Sequence, residues 1–246
     1  MVAIDGSLRL ISGVRLGAAL LAFTAWSLSP ATGAPGQSEG KAQISAESLA
    51  RKVAMRYGLE AFPGVKTIHW VFNVTAGKKD VSRDWTWYPQ EDSVLYKGED
   101  AAGAPISAAY SRKNGISMAS EQVKSVDKMF INDQYWLLFP LHLAWDSGTT
   151  MSVSKMPAKG RKTGETYKLT ISYPQQGGYT PGDAYDLMVD SSGMVHRWMF
   201  RKGNAGKPTT EATWSEPVPV GGLNLSMDRP GTKGPFKVWF TDVRVE

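Results

Sequence analysis

Apolar positions recur along this chain with two alternating periods. From Ser45 onward, Leu49, Val53 and Tyr57 fall at i, i+4 and i+8, one stripe of a helix for which Gly58 is the stop. Beyond Phe62-Pro63-Gly64 the period becomes two. Over 65–75, Ile68, Trp70, Phe72 and Val74 share one face and Thr67, His69 and Asn73 the other, the pattern of a half-buried antiparallel strand. Short strands are predicted over 83–88, with Trp85 and Trp87 on one face, then over 93–97 and 106–112 across a Gly/Asp/Ala-rich turn. The alternation returns over 166–173 (Tyr167, Leu169, Ile171, Tyr173) and 184–190 (Tyr185, Leu187, Val189). Ser191-Ser192-Gly193 then predicts a tight hairpin into 194–201. Leu223, Leu225 and Met227 mark a further strand. The last strand, 236–245, changes apolar parity near Thr241-Asp242, as a bulge produces.

Between these groups of strands lies a different stretch. Residues 119–131 have helical spacing (Val123, Val126, Met129, Phe130), which Asn132-Asp133 interrupts. The run YWLLFPLHLAW at 135–145 has one strongly polar member, His142. It is too short to cross about 30 Å of hydrocarbon, and Pro140 limits a single helix through it. A buried helical plug is the expectation, with a lip touching a membrane as the alternative. One helix, strands, a helical insert and a second run of strands predict a single α+β domain over 44–246. Its sheet is a single, curved, mostly antiparallel one, an incomplete half-barrel packed around helices.

The N-terminus reads as an address rather than as fold. Arg9 and Arg15 precede a 13-residue apolar run at 16–28, and Ser29-Pro30 and the small residues Ala31-Thr32-Gly33-Ala34 follow it. The expectation is a signal peptide at 1–33 with cleavage after Gly33, then a flexible segment at 34–43; a retained membrane anchor is the alternative. The implied location is the periplasm or the exterior of a bacterium. The remaining chain carries a net charge of about +4, with its basic residues scattered and densest at Lys155, Lys159, Arg161 and Lys162. That balance argues against a nucleic-acid partner and allows peripheral contact with an acidic envelope membrane.

Candidate chemistry is sparse. The chain has no cysteine and three histidines, His69, His142 and His196, with no His-x-His or His-x-x-x-His pair, so no metal or cofactor is expected. His142 and His196 are expected to be hydrogen-bonded core or rim residues. Ser125-x-x-Lys128, Ser152-x-x-Lys155 and Lys162-Thr163-Gly164 imitate elements of penicillin-binding enzymes. The distance from Ser125 to Lys162 leaves no room for that family's intervening domain, and the second match is placed in a loop. Asp183, Asp186 and Asp190 lie close in sequence, but as turn and outward strand positions they suit solvated carboxylates better than a catalytic pair.

The aromatic residues are the stronger signal: nine Trp, nine Tyr and eight Phe, several on single strand faces. Any one of them suits a core. Together, so many wide rings on one curved sheet are hard to pack tightly, and the volume left over would be an apolar pocket. The residues expected to line or plug it are Trp70, Phe72, Trp85, Trp87, Trp136, Phe139, Tyr173 and Trp198.

The order of these elements carries a resemblance: a helix, a strand, Trp85-Thr86-Trp87, the insert Asn132-Asp-Gln-Tyr-Trp-Leu-Leu-Phe-Pro140, the stretch from Gly178 to Asp190 (GYTPGDAYDLMVD) and Met194-Val-His-Arg-Trp-Met-Phe200. Over roughly 44–246 it resembles a family of exported bacterial proteins similar in layout to the periplasmic lipoprotein carrier and receptor, the LolA/LolB-like fold. The resemblance implies an incomplete antiparallel barrel capped by helices, with a hydrophobic cavity that accepts acyl chains. Two features depart from it. No lipid-modified N-terminal cysteine is present, and no residue matches the basic residue that locks the carrier's lid, so lipoprotein shuttling is not carried over. The expected function is binding of a lipid or other amphiphile by a monomeric, non-catalytic exported protein. The alternatives are a structural or partner-binding module with a solid aromatic core, and an envelope ester or glycan hydrolase using Asp183, Asp186 and His196.

Overall fold

The structure is a computed structural model that describes residues 44–100, 103–113, 115–157, 165–176 and 180–246. The expected leader and flexible segment (1–43), the basic residues Lys159, Arg161 and Lys162, and the Lys162-Thr163-Gly164 element lie outside the described residues.

Helix α1 (Ala46–Arg56) begins where the sequence places it. Ser45 Oγ accepts the Ser48 amide at 3.1 Å, and Gly58 leaves the helix at φ +103°. Its buried stripe is Ala46, Leu49, Ala50, Val53 and Ala54. Strands β1 (Ile68–Ala76), β2 (Lys79–Tyr88), β3 (Ser93–Glu99) and β4 (Pro105–Ser111) follow as an antiparallel meander. Helix α2 (Glu121–Trp145) comes next. Strands β5 (Thr150–Lys155), β6 (Thr166–Ser172), β7 (Ala184–Asp190), β8 (Val195–Arg201) and β9 (Thr210–Thr213) form a second meander. The chain ends with the small hairpin β10 (Val218–Val220) and β11 (Leu223–Leu225), then β12 (Asp228–Pro230) and β13 (Phe236–Val245).

The six-stranded sheet runs β12-β13-β1-β2-β3-β4 and the five-stranded sheet β5-β6-β7-β8-β9. They meet along a seam between β9 and β12. Ala212 bridges Gly231, the Thr232 amide donates to Glu211 O at 3.1 Å, and the Ser215 amide donates to Asp228 O at 3.2 Å. The result is one curved antiparallel layer whose outer edges, β4 and β5, do not pair with each other. This is the expected incomplete half-barrel in an α+β fold, with the helices against its concave face.

Cross-strand registry explains why that face is continuous. Trp70 lies opposite Trp85 and Phe72 opposite both Arg83 and Phe240, while Leu169, Leu187 and Trp198 line up across β6, β7 and β8. The predicted bulge is present. Between the pairs Val71↔Thr241 and His69↔Arg244, β13 carries one extra residue, and Asp242 adopts φ +51°.

Two expectations are corrected. Asn132-Asp133 does not interrupt a helix and Pro140 does not end one, because α2 runs unbroken for 25 residues, about 37 Å. Asp133 is a helix breaker when its carboxylate competes for local backbone; here that carboxylate is occupied by partners on another element. Ser152 lies not in a loop but in the edge strand β5. The strands β9, β10 and β12 were not expected at all, being three or four residues long.

Candidate ligand site on the concave face

Helix α2 divides the expected site residues into two aromatic groups. The first lies on β1 and β2. Trp70 and Trp85 are fully buried with ring centroids 6.4 Å apart, and Phe130 of α2 sits 6.1 Å from Trp70, 5.6 Å from Trp85 and 6.0 Å from Trp87. Tyr96 of β3 closes on Trp85 at 4.3 Å. Phe72 is turned to Phe240 at 5.9 Å, and the Arg83 guanidinium lies over its ring. The second group lies on β6–β8. Trp136 and Phe139 of α2 meet Trp198 at 4.3 Å and Tyr185 at 4.8 Å. Tyr173, half-buried, stands edge-on to Tyr185 at 5.6 Å. The structure therefore places six of the eight expected residues on the sheet side and two, Trp136 and Phe139, on the helix facing it, in two clusters bridged by α2.

A hydrogen-bonded clasp fixes α2 near each cluster. At mid-helix, Asp133 is fully buried and accepts Arg83 Nε at 2.6 Å, Arg83 Nη2 at 2.7 Å and Trp85 Nε1 at 2.8 Å. At the C-terminal end, Asp146 accepts the hydroxyls of Tyr135 (2.7 Å) and Tyr173 (2.6 Å) and pairs with His142 Nδ1 at 2.9 Å. His142 Nε2 lies 3.0 Å from Gln134 Oε1. Burial works against a charge on Asp146, but His142, Tyr173 and Tyr135 together hold its carboxyl below the usual carboxylate range. Burial first, and the Asp146 charge with it, pushes the Tyr135 and Tyr173 hydroxyls well above the usual phenol range. His142 is thus the hydrogen-bonded core histidine that the sequence predicts.

The residues considered for hydrolysis do not assemble. Asp183 accepts the Gly203 amide at 2.8 Å. Asp186 is not a solvated strand residue as expected: it is buried, accepting Thr170 Oγ1 at 2.6 Å and Arg201 Nε at 3.1 Å. His196 meets a different carboxylate, Asp190, at 2.9 Å in the exposed β7–β8 hairpin. Asp190 also accepts Ser192 Oγ at 2.6 Å, so the carboxylate stands between serine and imidazole, and the arrangement is a turn cap rather than a nucleophile relay. Among the described residues no group of three or more His, Cys, Asp or Glu is placed to hold a metal, and no helix is long and apolar enough to cross a membrane.

Two open grooves stand outside the aromatic clusters. One, about 470 Å³, lies between α1 and the segment after β9, with Lys52, Arg56, Met194, Glu216 and Asn224 on its walls. The other, about 410 Å³, is lined by Asn73, Asp80, Ser82, Glu99 and Trp239. Both are walled largely by polar side chains.

Sequence reasoning missed Arg83, Phe130, Asp133 and Tyr185. The signal for Arg83 was present, since it shares parity with Trp85 and Trp87 and so puts a charge on an apolar strand face. Asp133, at the head of the most apolar stretch of the chain, was its natural partner.

No family model matches the chain, and no curated protein matches it. Among solved structures, it is similar to a DUF1329 family protein from Desulfovibrio piger (11% identity, TM-score 0.43, covering 82% of this chain and 92% of that one). It is also similar to a domain described as an outer membrane lipoprotein-sorting protein from Vibrio parahaemolyticus (10% identity, TM-score 0.40, covering 81% and 92%). A third similar structure is the lipoprotein LppX of Mycobacterium tuberculosis (12% identity, TM-score 0.29, covering 80% and 95%).

Proposed function

We propose that this chain is an exported, non-catalytic envelope protein that binds a lipid or other amphiphile between α2 and the concave face of its half-barrel. One observation supports this reading most directly. The sheet is unclosed, and its core face is apolar on both sheets and rich in rings, with Trp70, Phe72, Trp85 and Trp87 on one and Trp198 and Tyr173 by the other. Trp136 and Phe139 fill that surface from the helix side. An acyl chain offers the same kind of contact as those side chains, at about 25 cal/mol per Å² of apolar area removed from water. Movement of α2 would exchange one apolar occupant for another. Affinity built on area alone discriminates poorly between chains of similar length, so the expected specificity is loose.

Delipidated protein is expected to bind a fluorescent fatty acid saturably, and freshly purified protein to carry lipid adducts in native mass spectra. Absence of both overturns the reading. The second reading, a structural or partner-binding module with a solid aromatic core, draws support from the close ring contacts in both clusters and from the polar lining of the two grooves. A protein that binds no amphiphile, yet unfolds cooperatively and at high temperature, favours it.

A further inference from the structure

Each of three arginines held against the sheet spends its Nε on a carboxylate. Arg83 gives Nε and Nη2 to Asp133, Arg112 gives Nε to Asp127 at 2.7 Å, and Arg201 gives Nε to Asp186 at 3.1 Å. Arg229 breaks the pattern. It is more deeply buried than any of them, at 0% exposure, and its Nε and Nη2 have no partner among the described residues. Its one hydrogen bond is from Nη1 to the Ser226 carbonyl at 2.8 Å. The neighbouring acid, Asp228, is ion-paired with Lys237 at 3.0 Å.

Arg229 faces the interior. It lies opposite Val238 in the β12–β13 ladder, and Val238 lies opposite Val74, so the guanidinium is on the concave side with Phe240 and Phe72. It stacks on Trp214 at 3.6 Å from the ring centroid, and the indole Nε1 of Trp214 is itself buried with no partner among the described residues. Three buried donors without partners thus lie on two stacked side chains, and no carboxylate hydrogen-bonds the guanidinium: the Asp228 charge acts on it only from a distance. Burial pushes the guanidinium down to about 9, which leaves it charged at neutral pH. A buried cation of this kind is costly unless something anionic occupies its fork, and Nε with Nη2 is the fork with which Arg83 holds Asp133.

We propose that Arg229 and Trp214 form an interior anion site at the β9–β12 seam, taking the oxygens of a carboxylate or phosphate supplied by an amphiphile's headgroup or by a free anion. The headgroup source rests on the amphiphile reading given above. It deepens that reading from a generic greasy interior to a preference for anionic amphiphiles. Tyr57, whose hydroxyl is 3.8 Å from Met194 Sδ on the wall of the 470 Å³ groove, is close enough for the charge of Arg229 to act on it. The groove beside α1 carries Lys52 and Arg56 on its wall, charges that suit an anion.

The test compares dodecanoate with dodecanol, and acetate and phosphate with chloride at equal ionic strength, on the full chain, on Arg229→Met and on Trp214→Phe. The wild type is expected to bind dodecanoate at least tenfold more tightly than dodecanol. Arg229→Met should remove the difference and Trp214→Phe should narrow it a few-fold. If neither amphiphile binds, but acetate or phosphate raises the melting temperature of the wild type and not of Arg229→Met, the anion site stands with a free anion as its ligand and the amphiphile reading falls. Equal binding of acid and alcohol, with no anion-specific shift in melting temperature, overturns the site and leaves the amphiphile reading intact. No binding and no shift overturn both. Should Arg229→Met fail to fold, the wild-type comparison and Trp214→Phe decide the matter alone.

Discussion

Arg83 and Asp133 form a two-pronged ion pair, with distances of 2.6 and 2.7 Å, that joins the middle of β2 to the middle of α2 inside the aromatic core. Asp133 is fully enclosed and the Arg83 side chain is 13% exposed, so neither charge has water as a substitute partner.

The pair should therefore respond asymmetrically to mutation. Asp133→Ala leaves a buried guanidinium and an indole N–H without acceptors, and is expected to cost about 3–5 kcal/mol in urea unfolding. The double variant Arg83→Met/Asp133→Asn removes both charges while keeping an oxygen for Trp85 Nε1, and should recover most of that loss. A double variant no more stable than Asp133→Ala would show that the charges themselves, rather than their mutual compensation, hold α2 in place.

Trp70 and Trp85 are neighbours on adjacent strands and equally buried, but Trp85 Nε1 donates to Asp133 whereas Trp70 Nε1 has no partner among the described residues. Replacement by Phe trims the same atoms at both sites. Trp85→Phe also loses a hydrogen bond to a charged group, so it should be the more destabilising by about 1.5–3 kcal/mol. Equal losses, measured by chemical denaturation at one pH, would mean that the Trp85 bond contributes nothing net.

Much of this architecture was legible from residue order because it is written in period-two patterns over seven or more residues. β1, β6 and β7 alternate in residue type, β13 does so on either side of its bulge, and Ser45 and Gly58 bracket α1 at its observed ends. Two kinds of feature escaped. Strands of three or four residues, such as Thr210–Thr213 and Asp228–Pro230, are too short to show a period, yet they form the seam that joins the two sheets. Long-range compensation escaped as well. Asp133 inside a helix looks like a breaker until Arg83, 50 residues earlier in the chain, is placed beside it. Arg229 carries no local signal at all, since its environment is set by Trp214 and Phe240 on other segments. The aromatic site residues were readable by face; their division into two clusters depends on where α2 crosses the sheet, which no local pattern encodes.

Gly221 and Gly77 offer a comparison between strain and collision. Both have positive φ, +51° and +66°, but a Cβ at Gly77 meets nothing within 4 Å, whereas one at Gly221 runs into the carbonyl and side chain of Val245. Gly77→Ala is expected to cost about 1–2 kcal/mol from backbone conformation alone. Gly221→Ala must also displace the end of β13 and should cost at least about 3 kcal/mol more, or abolish folding. Similar melting temperatures for the two variants would indicate that the C-terminal residues are not packed as described.

Stability should fall at both ends of the pH scale through the same cluster. The Asp146 carboxyl is held below its ordinary value of 3.8, so its contribution is present above about pH 4 and is lost as pH falls further, through the lowered value. Tyr135 and Tyr173 are raised above 10, so their contribution is complete below pH 10 and declines as pH rises beyond it, where the unfolded chain releases phenolic protons that the folded protein retains. Asp146→Asn should flatten the acid limb of a stability–pH curve. An unchanged acid limb would assign it to other carboxylates, such as Asp190, whose charge burial disfavours but which hydrogen bonds from Ser192, His196 and the Met194 amide hold below the usual range.

Tyr173→Phe separates the two readings of the aromatic surface. The substitution keeps the ring edge-on to Tyr185 and deletes the 2.6 Å bond that ties the strand side to Asp146, the C-cap of α2. The loss is expected to be about 1 kcal/mol, with a shallower alkaline limb. If α2 has to leave the sheet before an amphiphile enters, the ligand binds only the opened fraction, and apparent affinity scales with that fraction. A bond worth about 1 kcal/mol that exists only in the closed form then becomes roughly a fivefold gain in apparent affinity for a fluorescent fatty acid. The variant should therefore be less stable yet a tighter binder. Reduced stability with unchanged or weaker binding would mean that α2 does not move to admit ligand, and would favour the solid core.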